Sequence, residues 1–241
     1  MATIALITGA NKGIGYETAR QLGKKGITVL IGARDEQRGL AAVESLRKEG
    51  VAAKFVALEV GSAASIKAAV EQVTREFGVL DILINNAGTL DYTSDGPGSG
   101  VSQNTLKTTF ETNFFSLVAV TQAFLPLIRK SGAGRIVNLT SILGSIAEHA
   151  DPNSPIYQAK FLAYDASKAA VNMFTNHLAY ELKGTKIKVN AAHPGWVKTD
   201  LGGPQAPMEL VDGAKTSVEL ATLPETGPSG GYYHMGVHLR W

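Results

Sequence analysis

Tyr164 and Lys168 stand four residues apart in the stretch FLAYDASKAAV, residues 161–171, a spacing that puts two side chains on one helix face. A tyrosine hydroxyl with its ordinary pKa of ~10 is an acid but a poor base at neutral pH. An ammonium group alongside favours the phenolate and lowers that pKa. The pair is either a surface contact or a proton-transfer device. The other tyrosines do not repeat it: Tyr92, Tyr157 and Tyr180 have Gly96, Phe161 and Gly184 at the fourth position, and Tyr16 has Arg20.

A second chemical feature is TGANKGIG, residues 8–15, with Gly9, Gly13 and Gly15 spaced G-x-x-x-G-x-G. Glycine lets backbone approach a pyrophosphate, and a helix starting there offers free N–H groups and the positive end of its dipole. The alternative is a tight strand–helix turn with glycine for packing alone. The next apolar run ends Gly32-Ala33-Arg34, followed by Asp35 and, one turn on, Arg38. An acidic side chain at this tip would bind a ribose 2′-hydroxyl, whereas arginine accommodates a 2′-phosphate. Arg34, Arg38 and Lys12 converging on one phosphate favour NADP(H) over NAD(H). Otherwise these are solvated charges at a helix start, with Asp35 as its N-cap.

These residues need elements to position them. Short apolar runs at 3–8, 28–33, 53–60, 80–85, 135–140, 187–193 and 230–235 alternate with helical patterns near 14–25, 36–49, 62–77, 103–130, 163–183 and 207–222. Continuous apolar runs suit strands covered on both faces. The alternation predicts a doubly wound α/β fold of about seven parallel strands with helices on both faces, as one domain over 1–241. The loops at 89–100, 148–155 and 202–207, rich in Gly, Pro and Ser, follow the fourth, fifth and sixth strands, where such sheets bind ligands. The chain has 241 residues, a formal net charge of +2 and no cysteine. The charge gives no electrostatic reason for nucleic-acid or membrane partners. The missing cysteine excludes disulfides, thiolate metal sites and cysteine nucleophiles and fits a reducing cytoplasm. MATIALITGA reads as a buried strand rather than a signal peptide, and no apolar run reaches the ~18 residues of a membrane span. The histidines lack metal-ligand spacing, so no metal is predicted, and His193 reads as structural or pocket-lining.

Taken together, TGANKGIG, NNAG at 85–88, TNFF at 112–115, NLTSILGS at 138–145, YDASK at 164–168 and HPGWVKTD at 193–200 resemble the short-chain dehydrogenase/reductases, specifically their carbonyl reductase-like branch, over essentially the whole chain. The resemblance implies that Asn11, Lys12, Gly13, Ile14 and Gly15 line the diphosphate and ribose of a dinucleotide. Asn85, Ala87 and Gly88 would pass along the adenosine ribose and brace the sheet. Asn113 would hold a water in a proton relay, Ser141 would hydrogen-bond the substrate oxygen, Tyr164 would donate the proton and Lys168 would bind the nicotinamide ribose. Pro194, Gly195, Val197 and Thr199 would cradle the nicotinamide. One departure is Glu59-Val60, where the family usually has aspartate and a small apolar residue framing the adenine. Val60 can serve through its backbone, and Glu59 can accept from the adenine amine only by a longer reach.

The chemistry follows. Hydride delivered to a carbonyl carbon leaves charge on oxygen, which must gain a proton as it forms, and Ser141 from a strand end can donate to that oxyanion. The expectation is NADPH-dependent reduction of ketones or aldehydes with an apolar body, framed by Ile142, Leu143, Ile156, Leu201 and Met208. The alternatives are an NAD-dependent alcohol dehydrogenase of the same family and a catalytically idle dinucleotide-binding sensor. More residues separate Ser141 from Tyr164 than is usual in the family, an insert placed to block its common dimer contact. Monomer and homo-oligomer both stay open.

Overall fold

The computed structural model describes residues 2–241. Its chain runs β1 (Ile4–Thr8), α1 (Gly13–Lys24), β2 (Thr28–Ala33), α2 (Glu36–Lys48), β3 (Ala53–Ala57), α3 (Ala63–Phe77), β4 (Ile82–Asn85) and α4 (Gln103–Phe110). A π-helical turn (Glu111–Phe115) joins α4 to α5 (Ser116–Ile128), followed by β5 (Arg135–Leu139), a short 3-10 turn (Ile142–Gly144) and α6 (Ile146–Ala150). Then come α7 (Leu162–Glu181), β6 (Lys188–Ala192), α8 (Leu210–Ala221), β7 (Tyr232–His234) and β8 (Val237–His238).

One sheet carries all these strands in the order β3-β2-β1-β4-β5-β6-β7-β8. The seven expected strands pair in parallel, and β8 adds an antiparallel eighth, turned back from β7 through Gly236 at φ +78°. Two core layers explain why the strands read as unbroken apolar runs. Ala5 and Ile7 face Ala19, Leu22, Leu46 and Val218 of α1, α2 and α8. Ile4 and Leu6 face Val73, Phe124 and Leu178 of α3, α5 and α7. Strand order reverses between β1 and β4, which opens a crevice beyond their carboxyl ends.

The predicted helix at 103–130 is interrupted by the π turn. By length and composition the run Gln103–Ile128 is the one helix among the described residues apolar enough to cross a membrane, which corrects the expectation that none would qualify. In the fold the run packs on other elements, α4 and the π turn on α7, and α5 on α3 and β4, while Phe115 stays exposed. The insert between Ser141 and Tyr164 contains α6, which the chain's last residues hold down. Ser145 Oγ donates to the Arg240 carbonyl (2.8 Å), Ala147 N–H to that of Trp241 (3.0 Å), and the Arg240 guanidinium meets Glu148 and Asp151.

Candidate active site

The glycine loop turns from β1 into α1 through Gly9 and Gly13, both at positive φ (+63° and +60°). Such a backbone favours glycine. Lys12, in extended conformation at the N-cap, gives α1 no side-chain cap, so the helix's first N–H groups have no protein acceptor of that kind. Gly15 has another purpose: a Cβ there would lie 2.5 Å from Asn86 Nδ2 and 2.9 Å from the Gly9 carbonyl oxygen. The loop is held from β4, because Asn86 Nδ2 donates to the carbonyls of Thr8 and Gly9 (2.8 and 3.3 Å). In return Thr8 Oγ1 accepts from the N–H groups of Asn86 and Ala87 (2.9 and 3.0 Å). Thr8 and Asn86 were not singled out from sequence. The one available signal was that successive residues leave a strand on opposite sides, so Asn86 had to face away from Asn85.

Asn85 itself is buried, and its amide donates to Thr121 of α5 and Asn138 of β5 (both 2.8 Å). Its side chain is thus committed to bracing the sheet. Ala10 N–H donates to the Gly32 carbonyl (3.2 Å), which seats the tip of β2 beside the glycine loop. Leu58 N–H donates to the Ala33 carbonyl (3.0 Å), which places the chain leading to Glu59 and Val60 next to Arg34. Among the three expected cations, Arg34 is exposed and has no ion-pair partner among the described residues. Arg38 lies 3.5 Å from Asp35, whose carboxylate caps α2 by accepting from Arg38 N–H. Lys12 pairs with Asp200, across from the loop after β6. Both members of that pair are exposed, and such pairs are weak in water.

Four elements converge beyond the ends of β4, β5 and β6. Ser141 caps the 3-10 turn after β5, its Oγ accepting from Leu143 N–H (3.2 Å). Tyr164 and Lys168 are both buried on α7. Lys168 Nζ donates to the Leu139 carbonyl at the end of β5 (3.0 Å) and stands 5.6 Å from the centre of the Tyr164 ring. The lysine is thus a neighbour of the phenol rather than its hydrogen-bond partner, because a buried ammonium needs an acceptor. Burial brings the Lys168 pKa down to about 8. Burial also raises that of Tyr164 well above its ordinary value, against a smaller lowering by the nearby Ser141 hydroxyl. The expected lowering by Lys168 does not appear: desolvation governs the phenol, which stays protonated.

Asn113 is fully buried within the π turn, a distortion frequent at functional sites. Its Oδ1 accepts from Thr89 N–H (2.8 Å), and its Nδ2 donates to the Thr89 carbonyl and to Ser167 Oγ (2.9 and 3.0 Å). It therefore ties the loop after β4 to α7. Gly88 passes so near that a Cβ would lie 3.3 Å from Asn113 Oδ1 and 3.4 Å from Lys168 Nζ.

His193 follows β6 as a half-buried, neutral imidazole, its pKa pushed down to about 3 by desolvation and by nearby His234. Its Nδ1 accepts from Ile142 N–H and Gly195 N–H (3.2 and 3.4 Å), so it joins the Ser141 turn to the loop after β6. In that loop Pro194 leads into Gly195 at φ +89°, where a Cβ would fall 2.1 Å from Met208 Sδ. Val197 bridges to Met208 and packs on Gly213 of α8. Thr199 Oγ1 accepts from Gly202 N–H (2.9 Å), and Trp196 Nε1 donates to the Gly202 carbonyl (2.7 Å). Around this end of the sheet stand the exposed apolar side chains of Tyr92, Ile146, Leu162 and Trp196. Ile142, Leu143, Ile156, Leu201 and Met208 are each half-buried in the same loops. No cluster of three or more metal-ligating side chains occurs among the described residues.

A buried acid, a nearby amine and an uncapped helix at a glycine turn form the constellation expected of a dinucleotide oxidoreductase. Comparison with known proteins agrees. The family model for short chain dehydrogenase matches residues 3–210. The chain is 34% identical over 273 aligned residues to carbonyl reductase [NADPH] 1 of Mus musculus, covering 94% of each. It is 32% identical over 299 to a (+)-neomenthol dehydrogenase of Capsicum annuum, covering 95% of each. Both alignments are longer than the 241 residues here, so those relatives carry segments this chain lacks. An NADPH-bound carbonyl reductase from chicken fatty liver superimposes with a TM-score of 0.86 at 29% identity, covering 100% of this chain and 99% of that one. The chain belongs to the short-chain dehydrogenase/reductase family.

Proposed function

We propose that this protein reduces ketones and aldehydes to alcohols with NADPH, Tyr164 giving the proton. The observation that carries the reading is Tyr164 itself: a buried phenol whose pKa burial raises, one helical turn ahead of buried Lys168, whose Nζ stands 5.6 Å from its ring centre. The chain's own cradle fits a dinucleotide. The first turn of α1 has no side-chain cap, and a Cβ on Gly9 would press to within 3.2 Å of Ala87 Cα, filling the turn. Gly9, Asn11, Lys12, Gly13, Ile14 and Gly15 would hold the diphosphate, and Arg34, with Lys12 and Arg38, a 2′-phosphate. Glu59 and Val60 would border the adenine, and Ala87 and Gly88 its ribose. Lys168 would hold the second ribose, and Pro194, Gly195, Val197 and Thr199 the nicotinamide. The carbonyl reductases among the relatives are NADPH enzymes by name.

When bound, the reduced nicotinamide supplies the hydride. Tyr164 donates its proton to the carbonyl oxygen as charge builds there, and Ser141 donates a hydrogen bond to the same oxygen. Lys168, with its pKa near 8, stabilises the phenolate left behind. Asn113 holds the loop after β4 against α7, so that the acid faces the cleft in one geometry. The apolar rim of Tyr92, Ile146, Leu162 and Trp196 suits a carbonyl compound with a hydrophobic body, whose burial adds ~25 cal/mol per Å².

The test is to follow NADPH and NADH oxidation by the purified protein over a panel of apolar ketones and aldehydes. Turnover with kcat/KM at least about tenfold higher for NADPH is expected, as one charge-assisted contact supplies. Equal use of NADH would remove the cofactor assignment. Tight NADPH binding without turnover across the panel would favour the idle binder.

A further inference from the structure

A helix leaves its first N–H groups without intrahelical acceptors, and a capping side chain usually supplies them. At α7 the N-cap residue is Phe161, which has nothing to offer. The acceptors come from the loop after β4. Leu162 N–H donates to the Gly96 carbonyl (2.9 Å), Ala163 N–H to Asp95 Oδ1 (3.0 Å) and Tyr164 N–H to Asp95 Oδ2 (2.9 Å). Both oxygens of one carboxylate thus serve the turn that bears the acid, at the positive end of the helix dipole, and Oδ1 also accepts from Gly96 N–H (2.8 Å).

The loop is built to deliver that carboxylate. Asp91 folds it by accepting from Thr93 N–H, Thr93 Oγ1 and Ser94 Oγ (2.9, 2.7 and 2.7 Å), and its carbonyl accepts from Asp95 N–H (3.0 Å). Tyr92 sets its ring edge-on against Phe161, 5.4 Å between centres. Lys168 depends on other anchors: its Nζ is on the Leu139 carbonyl, and its own carbonyl accepts from Thr140 Oγ1 (3.3 Å). The acid and the lysine share a helix, yet they are secured from different directions.

We propose that Asp95 is a positioning residue for carbonyl reduction, holding the first turn of α7 so that the Tyr164 hydroxyl meets the substrate oxygen, while Lys168 keeps its place without it. The proposal rests on the reduction assigned above and adds a residue that acts through the first turn of α7. Asp95→Ala leaves two N–H groups of the turn without an acceptor. Asp95→Asn keeps one, because the amide oxygen can accept from Ala163 N–H or Tyr164 N–H while the amide nitrogen can accept from neither.

The experiment compares both variants with wild type by steady-state kinetics, NADPH titration by fluorescence, and amide hydrogen exchange read by mass spectrometry. For Asp95→Ala, kcat should fall about tenfold or more, with the NADPH Kd within about twofold. Exchange should accelerate in peptides covering 161–166 and stay unchanged in those covering 170–180. Asp95→Asn should lie between wild type and Asp95→Ala in both readouts, and it carries the test alone if Asp95→Ala does not fold. Wild-type kcat in a variant whose first turn exchanges faster would overturn the proposal. So would unchanged exchange, or an NADPH affinity that falls in step with kcat. A wild-type protein without turnover would sink the proposed reduction by itself; the exchange comparison needs no substrate and would still decide whether Asp95 holds the turn.

Discussion

Two residues of this site can each be tested singly, Asp165 through its burial and Arg34 through its exposure. Asp165, next to Tyr164, has its carboxyl pushed up to about 7 by burial, against a hydrogen bond from Phe161 N–H, and its Oδ1 is buried without a partner. His149, 3.3 Å away, has its own pKa lowered by burial and so gives this carboxylate no cationic partner near neutral pH. The folded protein therefore keeps the Asp165 proton to about pH 7, whereas the unfolded chain releases it near the reference value of 3.8. Folded protein binds more protons between those two values, so stability falls as pH rises from about 4 to 7 and stays lowered above. Asp165→Asn should accordingly gain on the order of 1–3 kcal/mol over wild type at pH 8 and almost nothing at pH 4, checked by urea unfolding at both. Arg34 gives the second measurement. Its guanidinium has no ion pair among the described residues, and Arg34→Ala should raise the NADPH KM about ten- to a hundredfold while leaving that for NADH within about twofold. Equal losses for both cofactors would place Arg34 away from the 2′-phosphate.

Elements explain which residues could be read in advance. The Tyr164–Lys168 spacing and the glycine turn are local patterns, so helical period and backbone chemistry expose them. The cap from Asp95 spans sixty-eight and sixty-nine positions, and no local period encodes a carboxylate borrowed from another loop. The π turn around Asn113 and the short α6 were equally hidden, since one is a single misregistered turn and the other is held by contacts to Arg240 and Trp241. Lys168 was legible as a residue but not in its partner, because its acceptor is a backbone carbonyl of β5. The loop after β6 offers a test at this scale. Gly195 combines φ +89° with a Cβ position 2.1 Å from Met208 Sδ, so Gly195→Ala incurs both backbone strain and a clash. A loss of about 2–4 kcal/mol, seen as a Tm lower by roughly 4–16 °C, is expected, together with weaker cofactor binding. A variant as stable as wild type would mean that the loop relaxes freely.

For the molecule as a whole, the alternation of strands and helices carried the fold, and the sheet order 3-2-1-4-5-6-7 followed by an antiparallel β8 brings β1 and β4 side by side at the crevice. Sequence period could not reveal β8, a two-residue strand set by a turn rather than by an apolar run. Since the crevice gathers loops from β1, β2, β4, β5 and β6, a ligand seated there should stabilise the entire sheet. NADPH at about a hundred times its Kd should contribute about 2.7 kcal/mol, and NADH at the same concentration much less, which thermal unfolding with each cofactor would reveal. The most direct measurement is a comparison of wild type with Tyr164→Phe, using NADPH and an apolar ketone that wild type reduces. The variant should bind NADPH within about twofold of wild type, while kcat falls by about 10²–10⁴, the range a positioned acid supplies. A Tyr164→Phe protein that turns over at the wild-type rate would contradict the assignment of Tyr164 as the proton donor.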